Sequence, residues 1–157
     1  MSQFRFEKHQ VAASLSLTTG ATISGCFFVA SSLATHGGPE RVGDLLNADD
    51  GFFPFQSDDG TTGQYNRTHV VLVMLPSGVA EEELEPGYLV ALRRAVTLTL
   101  STGTTIEGTV LVSGPAGHER LSDYVRNSKD FWYVVTSDGT VIVNSHHIVE
   151  LIEKAAS

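Results

Sequence analysis

Apolar and polar residues alternate in two stretches of the chain, around residues 11–17 and 96–100. Alternation with a period of two is typical of a β-strand with one buried face, so each stretch predicts a strand. A Thr-Gly pair follows each stretch and predicts a tight turn into a second strand. Gly25 and Gly108 interrupt these second strands at the same place, where a glycine often marks a sharp bend or the close approach of another backbone.

The later elements are predicted in the same order in both halves of the chain. A short run with helical spacing follows the second strand, and after it come a third strand, an Asp-Gly hairpin, and a fourth and a fifth strand. The helical runs span 42–46 and 121–125, and the third strands span 52–55 and 131–135. Because Pro54 has no amide proton, its strand is predicted to be an edge strand or to contain a bulge.

The two halves also repeat each other residue by residue. LSLTTGATISG at 15–25 and LTLSTGTTIEG at 98–108 are identical at seven of eleven positions. Three further blocks correspond in order, namely 40–47 with 119–126, 52–55 with 131–134, and 66–73 with 144–151. An internal repeat of this kind indicates two copies of one small domain.

The repeat fixes the expected domain boundaries. Residues 1–75 form the first copy and residues 88–157 the second, and we refer to these ranges as the first half and the second half. Residues 76–87, PSGVAEEELEPG, are bounded by proline and glycine and contain four glutamates, which predicts an acidic linker. The linker is too short to let the halves move freely, so we expect a fixed pair, either side by side or related by a pseudo-twofold axis.

Three short motifs carry a resemblance to a known family. The first strand of each half ends in L-x-x-G, the second has its glycine two residues after an isoleucine, and the closing segment reads N-x-x-H-[IV]-V. Together they resemble the Sm-like fold, and more broadly uncharacterised bacterial families with two Sm-like copies. The resemblance implies a mainly β protein of two tandem five-stranded Sm-like or SH3-like small barrels, each with a short helical turn in the loop after its second strand.

The same resemblance suggests an activity. Sm-like barrels pair their edge strands with neighbours and often form rings that bind RNA. The closing segment is similar to that of bacterial Sm-like RNA chaperones, in which a histidine precedes the last strand, and His69 and His147 match that position. The chain departs from the Sm pattern at the nucleotide pocket, because it has no Met-Asn turn, and Arg67-Thr68 and Ser145-His146 stand in place of Arg-Gly.

Charge and cysteine content narrow the possible partners and location. The formal net charge is −8, and acidic residues outnumber basic ones in both halves, whereas nucleic-acid binding usually shows as clustered Lys and Arg. RNA is therefore possible but disfavoured. The single cysteine, Cys26, has no partner within the chain, which favours a reducing compartment. With neither a signal peptide nor a membrane span in the sequence, we expect a cytoplasmic protein that is not bound to a membrane.

The best-repeated polar feature is E-R-x-x-D, which places Arg41 and Asp44 in the first half and Arg120 and Asp123 in the second. One interpretation is that these arginines bind a ligand. The favoured one is an ion pair between residues three apart on a short helix, which surface helices form routinely.

The closing segments supply the remaining candidates for binding or interface contacts, Asn66 and His69 in the first half and Asn144 and His147 in the second. The histidines are expected to complete a turn or to line the barrel mouth. We expect no metal, because the lone cysteine lies in an apolar strand and no ligand spacing typical of zinc is present. We also expect no cofactor and no catalytic residue, because the chain has no nucleophile elbow and no phosphate-binding loop.

The sequence thus predicts a non-enzymatic binding and assembly module that oligomerises through its strand edges and interacts with protein partners. Two alternatives stay open. One is an RNA-binding Sm-like ring, and the other is a small-ligand regulatory domain that uses Arg41 and Arg120.

Overall fold

A computed structural model describes residues 8–30, 40–48, 51–81, 91–112, 121–127 and 129–154. This part of the chain is mainly β, as predicted. In the first half the elements are β1 (Lys8–Leu17), β2 (Thr22–Ala30), α1 (Val42–Ala48), β3 (Phe52–Ser57), β4 (Thr62–Asn66) and β5 (Val70–Met74). In the second half they are β6 (Leu92–Leu100), β7 (Thr105–Val112), α2 (Leu121–Asn127), β8 (Phe131–Thr136), β9 (Gly139–Asn144) and β10 (Ile148–Glu153). A single 3-10 turn precedes the last strand of each half, at Arg67–His69 and at Ser145–His147.

All ten strands belong to one antiparallel sheet with the order β10-β6-β7-β8-β9-β5-β1-β2-β3-β4. Each half contributes five consecutive strands, and within each half the fifth strand lies beside the first. The predicted two tandem five-stranded barrels are not confirmed, because the ten strands form one open sheet in which β5 pairs with β9 of the other half. A twofold axis would pair equivalent strands, whereas β5 and β9 are not equivalent, so the halves lie side by side.

The glycines in the second strands lie where another backbone crosses in contact. A β-carbon built on Gly25 would lie 1.9 Å from the Gln56 carbonyl oxygen, and one built on Gly108 would lie 2.6 Å from the Val135 carbonyl oxygen. Atoms cannot approach this closely without displacing the third strand of that half. The close approach predicted for both glycines is confirmed, and it explains why no larger residue stands there.

Pro54 lies neither on an edge strand nor at a bulge in the β3–β4 pairing, so that prediction is wrong. It lies in β3, between β2 and β4, and is opposite Gln64 of β4. The pairing of β3 with β2 is confined to two positions, Gln56 and Ser57. Pro54 lies outside that segment, so its missing amide proton removes no bond from the β2–β3 ladder.

The buried side chains of the described residues form two hydrophobic cores, and each core includes side chains from the opposite half. The first core is built mainly from the first half but contains Phe131 and Ile142. The second is built mainly from the second half but contains Val71 and Leu72. Each half therefore completes its core with residues that the other half carries across the β5–β9 joint.

Candidate assembly interface

The joint between the halves is a strand pairing between unlike edges. In β5 and β9, Leu72 lies opposite Val143 and Val73 opposite Ile142, and the Leu75 amide extends the pairing with a 3.1 Å bond to the Thr140 carbonyl oxygen. Edge strands have a row of backbone donors and acceptors that must find partners or be protected. Here β5, the last strand of the first half, pairs with the edge of β9, the fourth strand of the second half.

Asn144 lies at the end of β9 and binds both halves at once. Its side-chain oxygen accepts a 3.0 Å bond from the His146 amide and caps the 3-10 turn of its own half. Its side-chain nitrogen donates to the carbonyl oxygens of Val70 at 2.9 Å and Arg67 at 3.3 Å in the first half. Asn144 is only 2% exposed and Val70 is fully buried, so this bond gives the Val70 carbonyl a donor in place of water, whereas the Arg67 carbonyl also accepts from the Val70 amide.

His147 makes a second polar contact across the joint. Its Nε2 lies 2.8 Å from the Thr68 carbonyl oxygen, and since a carbonyl only accepts, Nε2 carries the proton. Its Nδ1 lies 2.8 Å from the hydroxyl of Ser101, the residue that follows β6, and Ser101 returns a backbone bond to the His147 carbonyl oxygen. The histidine therefore ties the closing segment of its own half to the first turn and also binds the first half.

Asn66 and His69 repeat only the internal part of this arrangement. The Asn66 side-chain oxygen caps its 3-10 turn by accepting from the Thr68 amide at 3.1 Å, and His69 Nδ1 lies 2.9 Å from the Thr18 hydroxyl. Thr18 corresponds to Ser101, so the turn contact is the same in both halves. Within the described part of the chain, the side-chain nitrogen of Asn66 and the Nε2 atom of His69 have no hydrogen-bond partner. The prediction that the histidines complete a turn is confirmed for both.

Helix α1 of the first half packs on β8 of the second half. The Asn47 side chain forms two hydrogen bonds with the backbone of Phe131, donating to its carbonyl oxygen at 3.1 Å and accepting from its amide at 2.9 Å. The Gly43 amide donates to the Tyr133 hydroxyl at 3.1 Å, and a β-carbon on Gly43 would lie only 2.5 Å from that oxygen. A glycine is therefore needed where the helix meets the tyrosine.

Glu81, from the predicted linker, is buried in the same interface. Its carboxylate accepts bonds from the Val42 amide, at 3.0 and 3.1 Å, and from the Tyr133 hydroxyl at 2.8 Å. It therefore provides an acceptor for a backbone amide at the amino end of helix α1, which has no partner within the helix. The same carboxylate binds Tyr133 of the second half and so links the two halves. Burial raises the pKa of Glu81 above its usual value, and these hydrogen bonds counteract part of that rise. Burial and the Glu81 charge likewise raise the pKa of Tyr133.

Arg41 and Asp44 form the ion pair favoured by the sequence. Arg41 Nε and Nη2 lie 3.0 and 2.7 Å from the two Asp44 oxygens, and the Arg41 amide also donates to Asp44 at 3.0 Å. The arginine is buried, and its guanidinium lies 6.0 Å from the centre of the Tyr133 ring. Arg120 is outside the described residues, and the side chain of Asp123 is not described.

A polar cleft of about 360 Å³ opens beside the joint. Its walls include Arg67, Asn144 and His146. The guanidinium of Arg67 donates to the carbonyl oxygens of Leu45, Leu46 and Phe52, which places its charge at the carboxyl end of α1. His146 Nε2 lies 3.0 Å from a carboxylate oxygen of Asp130, at the exposed rim of the cleft.

Of the residues singled out in the sequence, Arg41, Asn144 and His147 lie at the contact between the halves. Within the described residues, the side chains of Asn66 and His69 make no hydrogen bond to the second half, although the carbonyl groups of Thr68 and Val70, on either side of His69, do. Sequence reasoning missed Asn47, Glu81 and Tyr133. The only signal for Tyr133 was its place in an aromatic strand, and Glu81 is one of four glutamates in the linker.

Neither a metal-binding cluster nor a membrane-spanning helix is found among the described residues. Among the described residues, no group of three or more His, Cys, Asp or Glu side chains is arranged to hold a metal ion. In the same part of the chain, no helix has the length and apolar character needed to cross a membrane.

Comparison with known proteins gave no relative. No family model, curated protein or solved structure matches the chain.

Proposed function

We propose that the protein is a non-enzymatic, cytoplasmic binding and assembly module made of two tandem Sm-like small barrels. It oligomerises through its strand edges and interacts with protein partners. One observation carries the proposal: the two halves are already joined by the pairing of a last strand with a fourth strand. The chain thus contains one example of the contact by which it would assemble.

The barrel part of the proposal is supported by the strand order and the two glycines. In each half the strands follow the order fifth, first, second, third, fourth. Gly25 and Gly108 permit the third strand to cross the second in close contact, which a small, strongly bent barrel requires. The sequence motifs of the Sm-like family lie at these same positions.

The role as an assembly module is supported by the two ends of the sheet. β4 and β10 each pair on one side only within the described residues, so each has an edge available to another strand. The polar residues of greatest interest, Asn144, His147 and Glu81, are occupied in holding the halves together rather than arranged around a reacting group. This arrangement supports a role in binding and assembly.

The proposal is tested with protein purified from its native host, using size-exclusion chromatography with light scattering and absorbance at 260 and 280 nm. We expect a species heavier than one chain, either self-assembled or with a co-purifying protein, and free of nucleic acid. Val149→Lys, which places a charge on the edge strand β10, should reduce that mass, because charges on edge strands oppose pairing. Leu92→Lys changes an exposed apolar residue on β6 and is the control.

Two results would overturn the proposal. If the purified protein is a single chain with no bound protein, the proposed assembly role is wrong. Excess absorbance at 260 nm that ribonuclease abolishes would replace the proposal with the RNA-binding ring, despite the net charge of −8.

A further inference from the structure

A groove of about 340 Å³ opens on the face of the first half where β5, β1 and β2 lie side by side. Small and apolar residues make up most of its lining, namely Ala12, Ser14, Ser24, Met74 and Pro76. The two serines lie on the face opposite to the first core, since their neighbours Leu15 and Ile23 pack in that core. Asp58 is the one charged residue that lines the groove within the described part of the chain.

The second half has an ion pair at the corresponding place. Lys154 follows β10, and its backbone amide donates to the carbonyl oxygen of Ala95 on β6. Its Nζ lies 2.8 Å from a carboxylate oxygen of Glu107 on β7, so the lysine side chain crosses β6 to reach the next strand. By the repeat, Lys154 corresponds to Pro76 and Glu107 corresponds to Ser24. The first half therefore lacks both members of this ion pair.

The strand pairing supports the same correspondence. Ser14 lies opposite Met74 of β5 in the first half, and Thr97 lies opposite Ile152 of β10 in the second half. These two pairs match residue for residue in the repeat, and both Met74 and Ile152 are exposed. The groove of the first half thus lies where the side chain of Lys154 crosses the second half, and a proline stands in place of that lysine.

The groove has a carboxylate of its own, at a position beside Ser24. The backbone amide of Asp58 donates to the Ser24 carbonyl oxygen at 2.9 Å, which holds the aspartate next to the second strand. Its carboxylate has neither a hydrogen bond nor an ion pair among the described residues. The adjacent Asp59, by contrast, accepts hydrogen bonds from Ser57 and Thr61 of its own hairpin. The first half thus has an acidic group at the groove but no lysine to pair with it.

We infer that this groove binds the lysine side chain of a protein partner. The inference rests on the proposed function, and it names the chemistry that the partner presents. The four-carbon stem of the lysine lies over Ala12 and beside Met74, and its ammonium group reaches the carboxylate of Asp58. A lysine is the occupant because Lys154 spans the corresponding strands in the second half, and because the carboxylate of Asp58 is left without a cation.

Binding of an isolated lysine to this groove is weak. Asp58 is exposed, and an ion pair at an exposed position contributes little because water and salt screen it. A protein partner adds the contacts that surround its lysine, so the groove supplies orientation and selectivity more than affinity. Single-lysine compounds are therefore tested in the millimolar range.

The test follows the amide chemical shifts of the isotope-labelled full chain as N-acetyl-lysine methylamide is added up to about 100 mM. We expect saturable shifts at Ser24, Asp58 and Met74. N-acetyl-norleucine methylamide, which has the same four-carbon stem without the ammonium group, should bind more weakly by about threefold or more. Asp58→Asn should weaken binding of the lysine compound to a similar extent. Asp138→Asn, in the corresponding hairpin of the second half, is the matched control and should bind like the wild type.

A double variant transfers the ion pair of the second half to the first. Ser24→Glu with Pro76→Lys introduces the residues that correspond to Glu107 and Lys154, so the chain fills the groove with its own lysine. This variant should no longer respond to the lysine compound. Circular dichroism establishes that it is folded, and Asp58→Asn keeps the test decisive if it is not.

Three results would overturn the inference. The lysine and norleucine compounds could bind equally well, or Asp58→Asn could bind the lysine compound as the wild type does. Cadaverine, a free diamine, could bind more than about tenfold more tightly than the lysine compound, which would make a free amine the ligand instead of a partner's lysine. The mass of the purified protein tests the proposed function separately. An assembled protein whose groove binds no lysine would leave the proposed function standing, whereas a single chain that binds lysine would leave only the groove.

Discussion

The side-chain nitrogen of Asn144 lies 2.9 Å from the carbonyl oxygen of Val70, a residue of the opposite half. Its counterpart Asn66 makes the same turn cap but no contact of this kind within the described residues. The two asparagines lie at corresponding positions of the repeat and cap equivalent 3-10 turns. What separates them is that β9 has a neighbour and β4 is the end of the sheet.

This difference predicts unequal effects of one substitution. Asn144→Ala removes the cap and also removes the donor to the buried Val70 carbonyl at the joint, so it should lower the free energy of unfolding by about 1–3 kcal/mol more than the loss of a cap alone. Asn66→Ala removes only the cap, which is worth about 1 kcal/mol. Urea unfolding of the two variants at a concentration where the protein is monomeric measures the difference. Equal losses would show that Asn144 does not stabilise the joint.

Glu81 predicts a pH dependence of stability. Its pKa in the folded protein is raised above the usual value of about 4.5, chiefly by burial, so the folded state binds this proton more tightly than the unfolded state does. The stabilisation that comes from that proton is complete below the unfolded pKa and is lost as the pH rises through the folded pKa. The free energy of unfolding of the wild type, relative to Glu81→Gln, should therefore fall as the pH rises above about 4.5.

Glu107 provides a control of opposite sign. The exposed ion pair with Lys154, at 2.8 Å, lowers the pKa of Glu107, so its contribution is present above the unfolded pKa and is lost as the pH falls. The wild type relative to Glu107→Gln should gain stability with rising pH, by a small amount because solvent screens the pair. A Glu81→Gln profile parallel to that of the wild type would contradict the role given to burial.

The Arg41–Asp44 pair predicts that removing one partner is worse than removing both. Asp44→Ala leaves the buried guanidinium without its carboxylate and should cost about 3 kcal/mol in the free energy of unfolding. The double variant Arg41→Leu with Asp44→Ala should recover part of that loss, because both charges of the pair are then removed. Guanidinium unfolding of the single and double variants tests this. A stable Asp44→Ala protein would return Arg41 to the list of ligand-binding candidates.

Alanine substitutions at the two strand glycines should lower the stability of the protein strongly, and by different amounts. Gly25→Ala places a β-carbon against the backbone of β3, with no flexible side chain to move aside, and should cost about 3 kcal/mol or more or prevent folding. Gly108→Ala meets a longer 2.6 Å contact and should cost less, about 1–3 kcal/mol. Ser24→Ala, at the neighbouring exposed position, is the control. Thermal unfolding measures all three, and a Gly25→Ala protein as stable as Ser24→Ala would show that β3 does not cross there.

The secondary structure could be predicted because its signals are local. Alternation gave the strands, the Asp-Gly pairs gave the hairpins, and residues three apart gave the Arg41–Asp44 pair. The repeat added the correspondence between halves. None of these signals shows how strands of one half pair with strands of the other, so the sequence predicted two tandem barrels where the structure has one open sheet.

The interface could be predicted only in part, for the same reason. Asn144 and His147 were found because they recur, yet recurrence could not show that they contact the first half while Asn66 and His69 do not. Asn47 and Tyr133 are not repeated, since Arg126 and Pro54 stand at the corresponding positions. Glu81 resembled its neighbours in an acidic segment of the type that is usually solvated, and only its burial against Val42 and Tyr133 distinguishes it.

The position of Glu81 also sets where this chain can be cut. By sequence the first half ends at Leu75, but a fragment ending there would lack the carboxylate that caps helix α1. A fragment intended to fold alone therefore has to extend through Glu81, and an insertion between residues 76 and 81 would separate the cap from the helix. Residues 76–81 thus belong with the first half for any experiment that divides the protein.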